Sequence, residues 1–331
     1  MKENKKYLYL VLWLVNYCNL NCDYCYAKDN FDTEKMSWDI AKQGLELLDE
    51  KATLILAGGE PLLNFFLVEK IYTHLKERDF KGKIAIQTNG TLITDDIAYK
   101  LSKMDIKIGI SLDGMFDVNE SSRGETKKVI DGIRKLEKYS KDVSINCVLT
   151  GENINSLESL VEFLYLFKNI NGLGLDLIRL TSKTKFTIPK TNDLYLNLKN
   201  AYEKTNFLGE TIGKYIPIRE LEDAKQRLHL NHHSCNYCYS SIGQTAVILP
   251  TGDVYPCSSL VGEKNYLMGN LRNKELDDIK LSSGKSLLCE KCKYEKICRG
   301  SCPSRTIMNK KYYSDSSDCN LRKAIFKILE N

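Results

Sequence analysis

Cys18, Cys22 and Cys25 stand in the stretch CNLNCDYC, separated by three and then two residues, directly after an apolar run from Tyr7 to Val15. Three thiolates on one short loop can hold three irons of a four-iron, four-sulfur cube and leave the fourth iron open. An open iron is a place for chemistry, whereas a fully ligated cluster mainly moves electrons. Zinc sites more often pair one CxxC with another or with histidines, and no fourth ligand follows nearby; a zinc clip or loose thiols are the plain alternatives. A second system lies downstream: Cys235, Cys238, Cys257, Cys289, Cys292, Cys298, Cys302 and Cys319. Eight soft thiolates are enough for two ligated cubes, and their CxxC pairs also allow two structural zinc ions. Cys147, alone in an apolar stretch, reads as a small core residue. His232 and His233 precede Cys235 closely enough to be weighed as ligands but read as solvated, and His74 and His229 suggest only helix surfaces.

Outside the cysteines, Gly58, Gly59, Glu60 and Pro61 let the backbone approach a ligand with a carboxylate alongside, although such a tetrapeptide is also an ordinary turn. Gln87, Thr88 and Asn89 are candidates for lining a pocket. The Arg123 guanidinium is well shaped for a carboxylate, or lies on the surface.

The elements that must hold these residues follow an alternating pattern. Tyr7 to Val15 suits a strand covered on both faces of a parallel sheet. Ser37 is placed to cap a helix with Trp38, Ala41, Leu45 and Leu48 inward. Thr53 to Ala57, Lys83 to Gln87, Ile106 to Ile110, Val143 to Leu149 and Leu173 to Ile178 read as further strands. Helices are expected over Phe66 to Arg78, Asp95 to Lys103 and Thr126 to Tyr139, with another capped by Asn155 and Glu158. Six strands alternating with helices make an α/β domain, a partial (β/α)6 TIM-like barrel. The cysteine loop, GGEP, QTNG and SLDG all fall at C-terminal ends of strands, the edge where α/β barrels assemble active sites. Residues 1–210 are expected to form this barrel, with its last helix over Asn192 to Leu208, and 211–234 a bridge with a helix over Glu220 to Leu230. Residues 235–331, with eight of the twelve cysteines, are expected to form a small cysteine-rich domain held by bound metal.

Composition narrows the class. The 331 residues are 43% hydrophobic and 27% charged, inside the globular range, and a net charge of +5 spread without any run of five basic residues argues against nucleic acid as the main partner. Lys2 to Lys6 before the apolar run imitates a signal peptide, but no small-residue cleavage site follows, and Asn16 and Tyr17 lack the small side chains of a lipidation site. No other stretch approaches a spanning length, so no membrane partner is expected. Grouped rather than scattered cysteines fit cluster ligation in a reducing cytoplasm.

The stretch CNLNCDYC resembles the cluster loop of the radical S-adenosylmethionine (SAM) enzymes. That resemblance implies that Tyr24 contacts the adenine, and that Gly58, Gly59, Glu60 and Pro61 hold the SAM amino group. It further implies that Ser111 and Asp113, followed by Asn119 and Arg123, bind the ribose and carboxylate, with Asn146 as another SAM contact and Asn89 beside it. The downstream cysteines, with Gly252 before Cys257, resemble the SPASM domain of radical SAM maturases. By that family's interleaving, Cys235, Cys238, Cys257 and Cys302 would hold a first auxiliary cluster and Cys289, Cys292, Cys298 and Cys319 a second. The chain is thus expected to carry SAM and three [4Fe-4S] clusters, one binding SAM and two auxiliary. The expected reaction is reductive cleavage of SAM to a 5′-deoxyadenosyl radical that takes a hydrogen from a peptide or protein, with a flavodoxin- or ferredoxin-type reductant. Crosslinking, oxidation and epimerisation are the outcomes in view. A small-molecule or cofactor-building enzyme, or a non-catalytic iron-sulfur or zinc protein, are the other classes. Two departures bear on the substrate: sulfatase-activating members have an aspartate where this chain has Ser258, and no leader-gripping domain precedes the first strand.

Overall fold

A computed structural model of the protein describes residues 5–28, 32–182, 184–230, 236–273, 275–282, 289–309 and 317–330. In β1 (Tyr7–Trp13), Leu10 and Leu12 join a large core shared with the helices, while Val11 and Trp13 join a second core with Val247, Leu249 and Tyr255. Successive strand side chains point to opposite faces, so a strand that is apolar throughout must be covered on both. Then follow α1 (Trp38–Leu45), β2 (Leu48–Ala57), α2 (Phe65–Glu77), β3 (Lys83–Thr88), α3 (Asp95–Ser102) and β4 (Lys107–Ser111). After these come α4 (Phe116–Ser122), α5 (Thr126–Lys138), β5 (Val143–Leu149), α6 (Leu157–Leu164) and β6 (Ile170–Leu177). The remainder comprises α7 (Thr191–Ile212), α8 (Arg219–Leu230), β7 (Thr245–Ile248), β8 (Asp253–Tyr255), β9 (Gly269–Asn270), α9 (Pro303–Asn309) and α10 (Ser317–Leu329).

The strands form one open sheet in the order β6-β5-β4-β3-β2-β1-β7-β8-β9. β1 to β7 pair in parallel, and β8 and β9 pair antiparallel. The α/β class and the mostly parallel sheet are those expected. The sequence reading stops at six strands, whereas the sheet continues past β1 with three more. An uncovered β1 edge would leave a row of backbone groups unpaired; β7 fills it, and all four of its residues are buried. At the other side α8 packs against β6, and α10 packs against α7 and α8, so the C-terminal part closes back onto the β6 edge of the sheet.

Local expectations fare unevenly. Ser37 does cap α1, accepting from the Ile40 N–H. Asn155 caps nothing: its side chain accepts from Asn197 on α7, and α6 begins after Ser156 without a side-chain cap. β2 starts five residues earlier than the apolar run suggests, because Leu48 pairs with Tyr7 across a register shift that carries the charged Asp49, Glu50 and Lys51 into the strand. Among the described residues no helix is long and apolar enough to cross a membrane.

Candidate active site

The inner face of the sheet borders a cavity of about 590 Å³, with Ile55, Gln87, Gly109, Ser111 and Asn146 contributed by alternating positions of β2 to β5. Cys18, Cys22 and Cys25 all line it, as do Gly58, Gly59 and Asn89. Backbone contacts seat the cysteine loop: the Gly59 N–H donates to the Val15 carbonyl at 2.9 Å and the Glu60 N–H to the Tyr17 carbonyl at 3.0 Å. Asn89 Nδ2 lies 3.5 Å from Cys18 Sγ and 3.0 Å from Asn19 Oδ1. Glycine is required twice here. Gly58 has φ +143°, and a Cβ on Gly59 would sit 2.0 Å from the Tyr17 carbonyl oxygen. Burial pushes the thiols of Cys22 and Cys25 up and that of Cys18 up to about 11, so ionising them together requires a cation among them.

Glu60 and Pro61 do not line the cavity. Glu60 is fully buried, and its carboxylate accepts from Leu62 N–H at 3.0 Å, Thr88 Oγ1 at 2.6 Å and Asn89 N–H at 2.7 Å, tying the glycine loop to the end of β3. Burial pushes its carboxyl up to about 7 against the pull of those donors. Pro61 opens a single 3-10 turn, Pro61–Asn64. Asp113 and Asn119 are likewise buried behind the wall. Asp113 Oδ2 accepts from the Tyr24 hydroxyl and from Arg123 Nε, the latter at 2.8 Å, and its Oδ1 accepts from Val148 N–H at 2.9 Å. Asn119 Oδ1 accepts from the Asp113 N–H at 3.0 Å. Arg123 also covers the Tyr24 ring at 5.3 Å, and these two do reach the cavity.

The cavity floor is a chain of side-chain hydrogen bonds across the sheet. Gln87 Nε2 donates to Ser111 Oγ at 3.2 Å, Asn146 Nδ2 to Gln87 Oε1 at 2.8 Å, and Arg219 Nη1 to Asn146 Oδ1 at 3.3 Å. Gly109 and Gly174 make the space: a Cβ on Gly109 would meet Gln87 Oε1 at 2.5 Å, and one on Gly174 would meet Arg219 Nη1 at 2.6 Å. Sequence reasoning missed Arg219 because it reaches the floor from the start of α8, far along the chain. A glycine on the inward parity of β4 was the available signal. Cys147 lies in the core of β5 with Sγ 3.7 Å from the Asp113 carbonyl oxygen.

A second cavity, of about 400 Å³, carries Cys238, Cys257 and Cys302 and shares Tyr9, Tyr26, Asp176, Arg179 and Ser258 with the first. Cys235, His232 and His233 lie outside the described residues. Cys319 gathers with Cys289, Cys292 and Cys298: burial raises its thiol, and beyond the opposing pull of Lys323 these three neighbours raise it further. Among the described residues no three Cys, His, Asp or Glu side chains converge on one ion-sized position. The guanidinium groups fit an electron-rich occupant. Among the described residues, Nε of Arg179, Arg299 and Arg322 is buried without a hydrogen-bond partner; Arg299 follows Cys298, Arg322 lies three residues after Cys319, and Arg179 Nη2 lies 4.0 Å from Cys302 Sγ.

An open, mostly parallel α/β sheet with a three-cysteine loop at its C-terminal edge and a thiol-rich unit against the same cavity defines an iron-sulfur enzyme. Residues 14–164 match the family model of the Radical SAM superfamily, and residues 225–303 match that of SPASM, an iron-sulfur cluster-binding domain. The chain belongs to the radical SAM superfamily, so its cofactors are SAM and [4Fe-4S] clusters, with the auxiliary clusters characteristic of SPASM domains. It is 33% identical over 293 residues to an uncharacterised protein of Methanocaldococcus jannaschii, covering 85% of this chain and 94% of that one. It is 26% identical to the cysteine-type anaerobic sulfatase-maturating enzyme of Clostridium perfringens, covering 86% and 85%. It is 25% identical to the tungsten-containing aldehyde ferredoxin oxidoreductase cofactor-modifying protein of Pyrococcus furiosus, covering 96% and 88%. The structure of histidine-tagged anSMEcpe with bound AdoMet superposes with a TM-score of 0.79 at 25% identity, covering 97% of this chain and 93% of that one.

Proposed function

We propose that this radical SAM enzyme modifies a peptide or protein, and that the SAM-binding cluster is held by Cys18, Cys22 and Cys25. The observation that carries the reading is the pair of cavities with one shared wall: the three-cysteine loop opens on one side of Tyr26 and Arg179, and Cys238, Cys257 and Cys302 on the other. When bound, the cluster and SAM supply a 5′-deoxyadenosyl radical able to take a hydrogen atom from substrate. The chain's own groups orient and shield. Gly58 and Gly59 let SAM approach the backbone, Arg123 and the Gln87, Ser111 and Asn146 floor offer polar contacts to it, and Tyr24, fixed by Asp113, backs the loop. Cys238, Cys257 and Cys302, with Cys235, form the first auxiliary site; Cys289, Cys292, Cys298 and Cys319 form the second. A flavodoxin- or ferredoxin-type reductant in a reducing cytoplasm supplies the electron.

Peptide chemistry is supported by the sulfatase-maturating relative and by the matching extent of the two chains. Work on a cofactor is the second reading, favoured by the cofactor-modifying relative that aligns with 96% of the chain. Anaerobic co-expression with a candidate peptide in deuterated water, followed by intact-mass measurement, separates them. Loss of two hydrogens signals crosslinking or oxidation, and gain of one solvent deuterium at carbon signals epimerisation. A peptide left unchanged while SAM is cleaved refutes the peptide reading.

A further inference from the structure

Arg179, two residues past the end of β6, stands between the two cavities. Its Nη1 pairs with Asp176 Oδ2 at 2.6 Å, its guanidinium lies over the Tyr26 ring at 5.6 Å, and its Nη2 lies 4.0 Å from Cys302 Sγ. It is not an isolated cation. Arg305 also pairs with Asp176 and makes a two-pronged contact with Asp318 at 2.8 and 2.9 Å, while Arg322 and Arg305 both approach the Tyr237 hydroxyl at 3.4 Å. Arg179 and Arg305 share Asp176 beside the Cys302 thiol, Arg305 also holds Asp318, and Arg322 stands beyond them on Tyr237. Arg305 is committed on its carboxylate side; Arg179 is the one whose fork extends to the sulfur. Donors and positive charge at a cluster sulfur favour the reduced, more negative state, and so raise the reduction potential.

We propose that Arg179 is a positioning residue that sets the potential of the first auxiliary cluster through Cys302, while Asp176 anchors its other end at the wall of the SAM cavity. This rests on the reading that Cys238, Cys257 and Cys302 hold that cluster. The arrangement makes the auxiliary site an electron acceptor and couples its potential to whatever occupies the cavity beside Asp176.

The test is an anaerobic redox titration of the reconstituted holoenzyme followed by electron paramagnetic resonance, comparing wild type with Arg179→Gln and Arg179→Lys. The relevant signal is the one lost in Cys257→Ala. The expected result is a drop of roughly tenfold in the equilibrium constant for one-electron reduction in Arg179→Gln, about 59 mV lower. Arg179→Lys, which keeps the charge and loses the fork, should fall between, and the signal of the Cys18, Cys22 and Cys25 cluster should not move. An unchanged potential in both variants, with the Cys257-dependent signal present, overturns the proposal alone. Loss of the cluster from both variants makes Arg179 a structural tie and also overturns it. Absence of any Cys257-dependent signal in wild type overturns the cluster reading itself.

Discussion

Gly59→Ala is the smallest change that should disable the cysteine loop. The added methyl would stand 2.0 Å from the Tyr17 carbonyl oxygen and 2.9 Å from the Cys18 nitrogen, where ordinary contact begins at 3.4 Å. Both neighbours are backbone, so no side chain can rotate away, and the two loops must part by about 1.4 Å. That separation breaks the Gly59 to Val15 and Glu60 to Tyr17 hydrogen bonds, each worth ~1 kcal/mol. Overpacking adds ~1–3 kcal/mol, and the reduced freedom of the unfolded chain returns ~0.4–1 kcal/mol, for a net loss of about 2–5 kcal/mol. Because the strain falls on Cys18, iron loading should suffer along with stability. The assay is iron per chain after anaerobic reconstitution, with the thermal midpoint of the same sample. Gly172→Ala is the control, since its methyl would meet only the Pro217 carbonyl oxygen at 3.9 Å. If Gly59→Ala holds wild-type iron and melts with the Gly172→Ala protein, the close approach does not matter and the reasoning fails.

Gly109→Ala should insert a methyl between Gln87 and Asn146, cost about 1–3 kcal/mol, and weaken SAM binding measured by equilibrium dialysis; unchanged affinity would remove the floor from the SAM site. Asp113→Ala leaves Arg123 buried without its carboxylate and frees the Tyr24 hydroxyl, so an unfolding loss of about 3–5 kcal/mol is expected by denaturant titration. Glu60 predicts a pH effect. Its folded carboxyl titrates near 7 because burial disfavours its charge, against ~4.3 unfolded. The folded state binds the extra proton between these values, so this contribution is present below about pH 4 and is lost as pH rises through 7. The stability of wild type relative to Glu60→Gln should therefore fall by ~1.3 kcal/mol from pH 6 to pH 8; a constant difference would contradict it. Cys257→Ala and Cys298→Ala should each remove the iron of one cube and leave the other auxiliary signal in place. Loss of both signals together would deny that the two cysteine groups are separate sites.

The strands that present the motifs were legible because each is a short apolar run ending in glycine or a polar turn. Val143–Leu149 is found with the same limits in the sequence and in the structure. β7 was not legible: Thr245 to Ile248 is only four residues long, and its partner β1 lies more than two hundred positions away, so nothing local marks it as a strand. The site was legible in residue type more than in role. Residue type and a place after a strand singled out the GGEP loop, but they could not divide its roles: its glycines border the cavity while Glu60 spends its carboxylate on Leu62, Thr88 and Asn89. Arg219 and Arg179 escaped because single arginines near helix and strand ends carry no pattern.

The shared wall also bears on which peptide chemistry this cavity can support. Sulfatase-type oxidation, by the resemblance, relies on an aspartate at the position of Ser258, and a serine hydroxyl is a poor proton acceptor near neutral pH. Among the described residues, Asp176 is the one carboxylate that borders both cavities. It cannot take over that task. Although burial opposes its ionisation, Arg179 and Arg305 hold its carboxyl well below the usual range, and a carboxylate so stabilised has little affinity for a proton. A substrate proton released at this wall would find no acceptor on it. Under the proposed reading, electron removal toward Cys302 is provided for while proton removal is left to the substrate or to solvent. That asymmetry separates this enzyme's expected reaction from sulfatase maturation in spite of the common fold.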